Sequence, residues 1–92
     1  MAKSIYSREQ DVLIGLLRQL REEAGARQVD LAERLGRPQS FVSKYESGER
    51  RLDLVELRAI CQVLGISLEQ LVRQFEKELA SLRPGTRRSI RR

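Results

Sequence analysis

Within Leu35-Gly36-Arg37-Pro38 one helix has to end and another has to begin, and few arrangements of a short chain accommodate so abrupt a join. Before it, Leu31, Ala32 and Leu35 recur at helical spacing and so share one face. Gly36 supplies a residue that can leave a helix in the left-handed conformation. Pro38 has a fixed backbone angle suited to a first helical turn, and its missing N–H is not needed there, so a second helix opens at Pro38 or Gln39. Gly48 closes that helix. Gln28 to Ser47 therefore reads as two short helices joined by a tight turn.

Placed on a helix of 3.6 residues per turn, residues 39–47 sort into two faces. Val42 and Tyr45 point one way; Gln39, Ser40, Ser43, Lys44 and Ser47 point the other. The polar stripe holds small hydroxyls, an amide and a cation, with no aliphatic residue. Short groups of this kind suit the major groove of DNA, where Gln matches the exposed edge of adenine, Lys matches guanine O6 and N7, and Ser matches several bases. The alternative is an ordinary solvated face. Phe41 lies between the two stripes, where it either packs on Tyr45 one turn later or meets a thymine methyl at the groove edge.

These residues carry a resemblance. Gln28 opening the first helix, Leu31-Ala32, Leu35-Gly36 at the turn, Gln39-Ser40 opening the second helix, Val42-Ser43, and Glu46 followed by Gly48 and Arg50 together resemble the helix-turn-helix of the Cro and phage-repressor, or xenobiotic-response-element (XRE), family of bacterial regulators. The resemblance runs from about Arg18 to Val72. The chain departs from the family pattern at Arg27, at Arg37-Pro38 and at Leu52. The family implies an all-α, five-helix, lambda-repressor-like DNA-binding domain. It also implies phosphate contacts from Gln28, Arg50 and Arg51, the last two in the loop after the reading helix. An alternative for Arg50 is an ion pair with Glu46.

The net charge of +5 is not spread evenly. Arg83, Arg87, Arg88, Arg91 and Arg92 lie in the last ten residues, and without them 13 basic residues face 13 acidic ones. Overall charge therefore does not mark the body of the chain as a DNA binder. Local charge is more telling: between Arg34 and Arg51, five cations (Arg34, Arg37, Lys44, Arg50, Arg51) stand against Glu46 and Glu49.

In chain order, residues 1–7 form an arm, residues 8–82 the DNA-binding domain with its motif at 28–47, and residues 83–92 a basic tail too poor in apolar residues to fold alone. Ser7 to Gln10, Asp53 to Glu56 and Ser67 to Gln70 each have the form of a capping box and predict helix starts. Leu13, Leu16, Leu17, Leu20 and Ala24 give the first helix its apolar face; Arg18, Gln19, Arg21 and Glu22 fall opposite, with Arg18 and Arg21 either on phosphate, or solvated or paired with nearby acids. The fourth helix is expected to bury Leu54, Leu57, Cys61 and Leu64. The fifth carries Leu68, Leu71, Val72, Phe75, Leu79 and Leu82, a stripe longer than so small a core needs. Its distal part, Phe75, Leu79 and Leu82, is expected to meet the same surface of a second subunit.

The inventory excludes other classes. There is no histidine, no pair of carboxylates at a recognisable catalytic turn and no glycine-rich phosphate loop, so no enzyme, cofactor or metal is expected. One cysteine, Cys61, builds neither a disulfide framework nor a zinc site and reads as a small core residue. An aromatic content of 4% without Trp disfavours single-strand and RNA stacking platforms. No long apolar run or leader points to a membrane, so a cytoplasmic, nucleoid-associated protein is expected. The reading is a transcriptional regulator, a repressor that binds double-stranded DNA as a homodimer on a palindromic operator. Its rival is a protein-interaction module, such as the antitoxin of a toxin pair or an antirepressor.

Overall fold

A computed structural model describes residues 7–82. They form five helices: α1 (Arg8–Glu23), α2 (Gln28–Leu35), α3 (Gln39–Glu46), α4 (Leu54–Leu64) and α5 (Leu68–Ser81). The expected arm and basic tail fall largely on residues 1–6 and 83–92, outside the described residues. No described helix is long and apolar enough to cross a membrane.

Local chemistry sets the helix limits. The Ser7 hydroxyl accepts the Gln10 N–H at 3.0 Å and starts α1. The Asp53 carboxylate accepts the Glu56 N–H at 2.7 Å while Glu56 Oε1 accepts the Asp53 N–H at 2.9 Å. Ser67 and Gln70 make the same reciprocal exchange. At α2, where Arg27 occupies the cap position, Asp30 takes over: its carboxylate accepts the Arg27 N–H at 2.8 Å and both Nε and Nη2 of the guanidinium. These bonds hold the Asp30 carboxyl at a pKa of about 2, well below its ordinary value.

The join between α2 and α3 depends on Gly36, whose φ of 69° lies in the left-handed region. That conformation lets the Arg37 N–H reach back to Ala32 O at 2.9 Å, where it joins the Gly36 N–H in closing the helix end. Pro38 sits just outside α3, and the helix opens at Gln39.

The core draws on every helix: Leu16 and Leu17 from α1, Leu31 and Ala32 from α2, Phe41, Val42 and Tyr45 from α3, Ile60 and Cys61 from α4, and Leu71 from α5. α2 packs on α3 and α4, α1 on α3 and α5, and α4 on α5. α3 is thus braced by both α1 and α2. Cys61 is buried in this core, and burial pushes its thiol up, in keeping with its reading as a small core residue.

Three expected apolar positions differ. Leu54 is 64% exposed, and Ile60 takes its place in the buried stripe of α4. Leu54 is the first residue of the helix, and a helical side chain leans toward the turn before it, where the core has already run out. On α5, Val72 is exposed, and Phe75, expected to meet a second subunit, packs against the core of its own chain, while Leu82, just past the helix end, is exposed. Leu79 is half-buried. α1 runs along α5 as far as its end, where Arg8 Nη1 donates to Leu82 O at 3.2 Å.

Candidate nucleic-acid interface

α3 buries Phe41, Val42 and Tyr45 and turns Gln39, Ser40, Lys44 and Ser47 outward, with Ser43 half-buried beside them. Five side chains expected to line one face therefore share one side of the molecule. Two of the hydroxyls are partly engaged with their own helix: Ser43 Oγ lies 3.4 Å from Ser40 O, and Ser47 Oγ donates to Lys44 O at 3.1 Å. Phe41 settles on packing, with its ring edge-on to Tyr45 at a centroid distance of 5.6 Å.

Behind the helix runs a polar chain that starts at a buried charge. Arg21 is 7% exposed and paired with an acid, one of the alternatives for it, but from a buried position and not from the face opposite the apolar one. Its Nε and Nη2 grip the two oxygens of Glu46 at 2.7 and 3.0 Å, and its Nη1 donates to Ala26 O at 2.8 Å. The hydrogen bonds to Glu46 raise the Arg21 pKa further above its already high value. Glu46 Oε1 also accepts Gln28 Nε2 at 2.9 Å. An ionised carboxylate only accepts, so Gln28 must turn its NH₂ inward and its oxygen outward. That oxygen accepts Gln39 Nε2 at 3.3 Å. The sequence Arg21–Glu46–Gln28–Gln39 thereby fixes which way round the Gln39 amide sits, with its carbonyl oxygen and second amide proton directed away from Gln28. Gln28, expected on phosphate, here holds the first residue of α3.

A second cluster borders the other end of the surface. Arg50 places Nη1 and Nη2 on Glu56 Oε1 and Oε2 at 3.0 and 2.9 Å, and its Nη1 also reaches Arg51 O at 2.8 Å. Its ion-pair partner is therefore Glu56 on α4, not Glu46. Arg37 Nη2 approaches the same Glu56 Oε2 at 3.4 Å. Both guanidiniums lie over the Phe41 ring, 4.3 Å away for Arg37 and 4.8 Å for Arg50. The hydrogen bonds from Arg50 and from the Asp53 backbone hold the Glu56 carboxyl at a pKa of about 2, so it stays charged. Arg51 and Lys44 are exposed.

A family model described as a helix-turn-helix domain matches residues 13–74. Among solved structures, an XRE-family like protein from Pseudomonas syringae pv. tomato str. DC3000 is 43% identical, with a TM-score of 0.75 over 83% of this chain and 93% of that one. The chain belongs to the XRE family of helix-turn-helix regulators. Its fold is shared more widely. A variant of the restriction-modification controller protein C.Esp1396I is 25% identical, with a TM-score of 0.76 over 83% of this chain and 96% of that one. The clp gene regulator ClgR from Corynebacterium glutamicum is 23% identical, with a TM-score of 0.72 over 82% of this chain and 80% of that one. A search among curated protein sequences gave no match. As an XRE-family member, the chain is a DNA-binding transcriptional regulator, and α2 and α3 are its motif helices.

Two functional features escape a reading of the sequence by motif. Arg21 follows the buried Leu17 by four residues, and Glu46 follows the buried Val42 by four, so each lies on the apolar side of its helix. Two opposite charges on two buried faces are a signal that they meet. Around Glu56 the sequence announces only a helix cap, and nothing local reveals a carboxylate that also serves two arginines from other segments.

Proposed function

We propose that this XRE-family regulator is a repressor that binds a palindromic operator as a dimer, with α3 in the major groove. Gln39, Ser40, Ser43 and Lys44 face the bases, and Gln28, Arg50 and Arg51 hold phosphates, Arg50 from a position braced by Glu56. The observation that carries the reading is the Gln39 amide, oriented by Gln28 and Glu46. Its outward oxygen and remaining N–H form the acceptor–donor pair that adenine N6 and N7 match. An amide fixed before binding loses less freedom on contact than a free one.

The dimer follows from reach. An eight-residue helix is about 12 Å long and spans only a few base pairs, so high specificity calls for two copies on half-sites one helical turn, about 34 to 36 Å, apart. On α5, Leu82 is exposed and Leu79 half-buried, while Phe75 is largely committed to its own core. The contact therefore centres on Leu79 and Leu82 and spreads to the exposed Val72. Repression by occupancy asks nothing of the domain beyond binding.

Arg51→Ala tests the interface. Phosphate contacts fix orientation and affinity without reading sequence. The substitution is expected to weaken specific and random-sequence duplexes alike and to reduce the slope of log K against log salt by about one. A loss confined to one operator sequence, measured by quantitative shift assay over a salt series, would contradict the phosphate role.

A further inference from the structure

Of the five cations between Arg34 and Arg51, two, Arg37 and Arg50, converge on the single carboxylate of Glu56. The guanidiniums are accessible, with side-chain exposures of 43% and 38%, whereas Glu56 is 14% exposed beneath them. Glu56 cannot follow them outward, because its Oε1 also accepts the Asp53 N–H that starts α4. Arg50 is gripped through both terminal nitrogens, the two-point geometry in which guanidinium binds carboxylate and phosphate alike. The Phe41 ring lies against both planar groups and limits their swing. Asp53 adds a second negative charge near Arg50.

We propose that Glu56 is a positioning residue that acts as an internal stand-in for phosphate, neutralising Arg50 and partly Arg37 so that the reading surface does not bind DNA promiscuously. The proposal rests on the DNA-binding reading above and adds to it the regulation of its charge. A phosphate that approaches Arg50 must displace a carboxylate held by the fold, and the exchange yields little net charge neutralisation. Glu56 thereby lowers non-specific affinity without touching DNA.

The test compares Glu56→Gln with Glu69→Gln, which makes the same change in net charge on exposed α5. The amide introduced by Glu56→Gln keeps an oxygen for the Asp53 N–H but no longer neutralises the arginines. Binding of a fluorescent random-sequence duplex is measured over a salt series for each folded variant. Glu56→Gln is expected to steepen the salt slope by about one and to tighten binding roughly fivefold at physiological salt. Glu69→Gln should reproduce the parent protein, and Arg50→Gln combined with Glu56→Gln should return the slope toward it. An unchanged or shallower slope for folded Glu56→Gln would overturn the proposal, as would an equal change for Glu69→Gln. A parent protein that binds no duplex at all would instead overturn the DNA reading.

Should Glu56→Gln fail to fold, the guanidinium resonances of the parent protein decide the matter. On addition of random duplex, those of Arg50 are expected to stay restrained and unshifted while those of Arg51 move. Equal movement of both would overturn the proposal.

Discussion

Replacing Glu46 with alanine is expected to lower the folding stability by about 3 to 5 kcal/mol, the usual cost of leaving one member of a buried ion pair alone. Arg21 would keep only Ala26 O as a partner in a site where its side chain is 9% exposed. Small domains hold about 5 to 15 kcal/mol in total, so the loss brings this one close to unfolding at ambient temperature. Urea denaturation measures it directly. A loss below about 1 kcal/mol would mean that the pair is effectively solvated. The informative companion is Arg21→Met combined with Glu46→Leu. Apolar residues of similar volume often replace a buried pair at no net cost, so the double variant should recover most of the stability. It should not recover operator binding, because Gln28 then has no carboxylate to orient it and Gln39 no fixed partner. Recovery of both would separate the ion pair from recognition and leave it a purely structural element.

Gln39→Ala is expected to weaken binding to the preferred operator by about 1 to 3 kcal/mol, or roughly five- to 150-fold, and to abolish the preference for adenine at one position of each half-site. Random-sequence affinity should hardly change, since no charge is removed. Lys44→Ala should cost a similar amount and relax preference at a different, guanine-bearing position, but it should also weaken random binding because it deletes a cation. Shift assays against a panel of single-base operator variants distinguish the two patterns. If Gln39→Ala weakened every variant equally, the amide would be acting on the backbone and not on a base.

How much of this is legible in advance depends on whether the signal is local. The turn between α2 and α3 is legible because Gly36 and Pro38 impose backbone conformations irrespective of their surroundings. The starts of α4 and α5 are legible because Asp53 with Glu56, and Ser67 with Gln70, complete their hydrogen bonds within four residues. The two faces of α3 follow from periodicity alone. What escapes depends on where the core ends and on which segments meet. Leu54 has the periodicity of a buried residue but lies beyond the last layer of neighbours, while Ile60 fills the core one side of it. Arg21 reads as exposed because charge usually means solvent, and only Glu46, 25 positions away, makes its burial tolerable. A pairing of Arg50 with the nearer Glu46 is reasonable until three dimensions bring Arg21 to that carboxylate; Glu56 then receives Arg50, together with Arg37.

The central claim, that an oriented Gln39 and its neighbours on α3 read double-stranded DNA as a symmetric pair, is tested most directly by selection. Purified protein is incubated at near-physiological salt with a random double-stranded pool, and the retained sequences are recovered and aligned, since affinity alone does not separate reading from electrostatic attraction. The predicted result is an inverted repeat with half-sites one helical turn apart, carrying a fixed adenine that degenerates in Gln39→Ala. Retention without any shared pattern, lost as salt is raised, would contradict it.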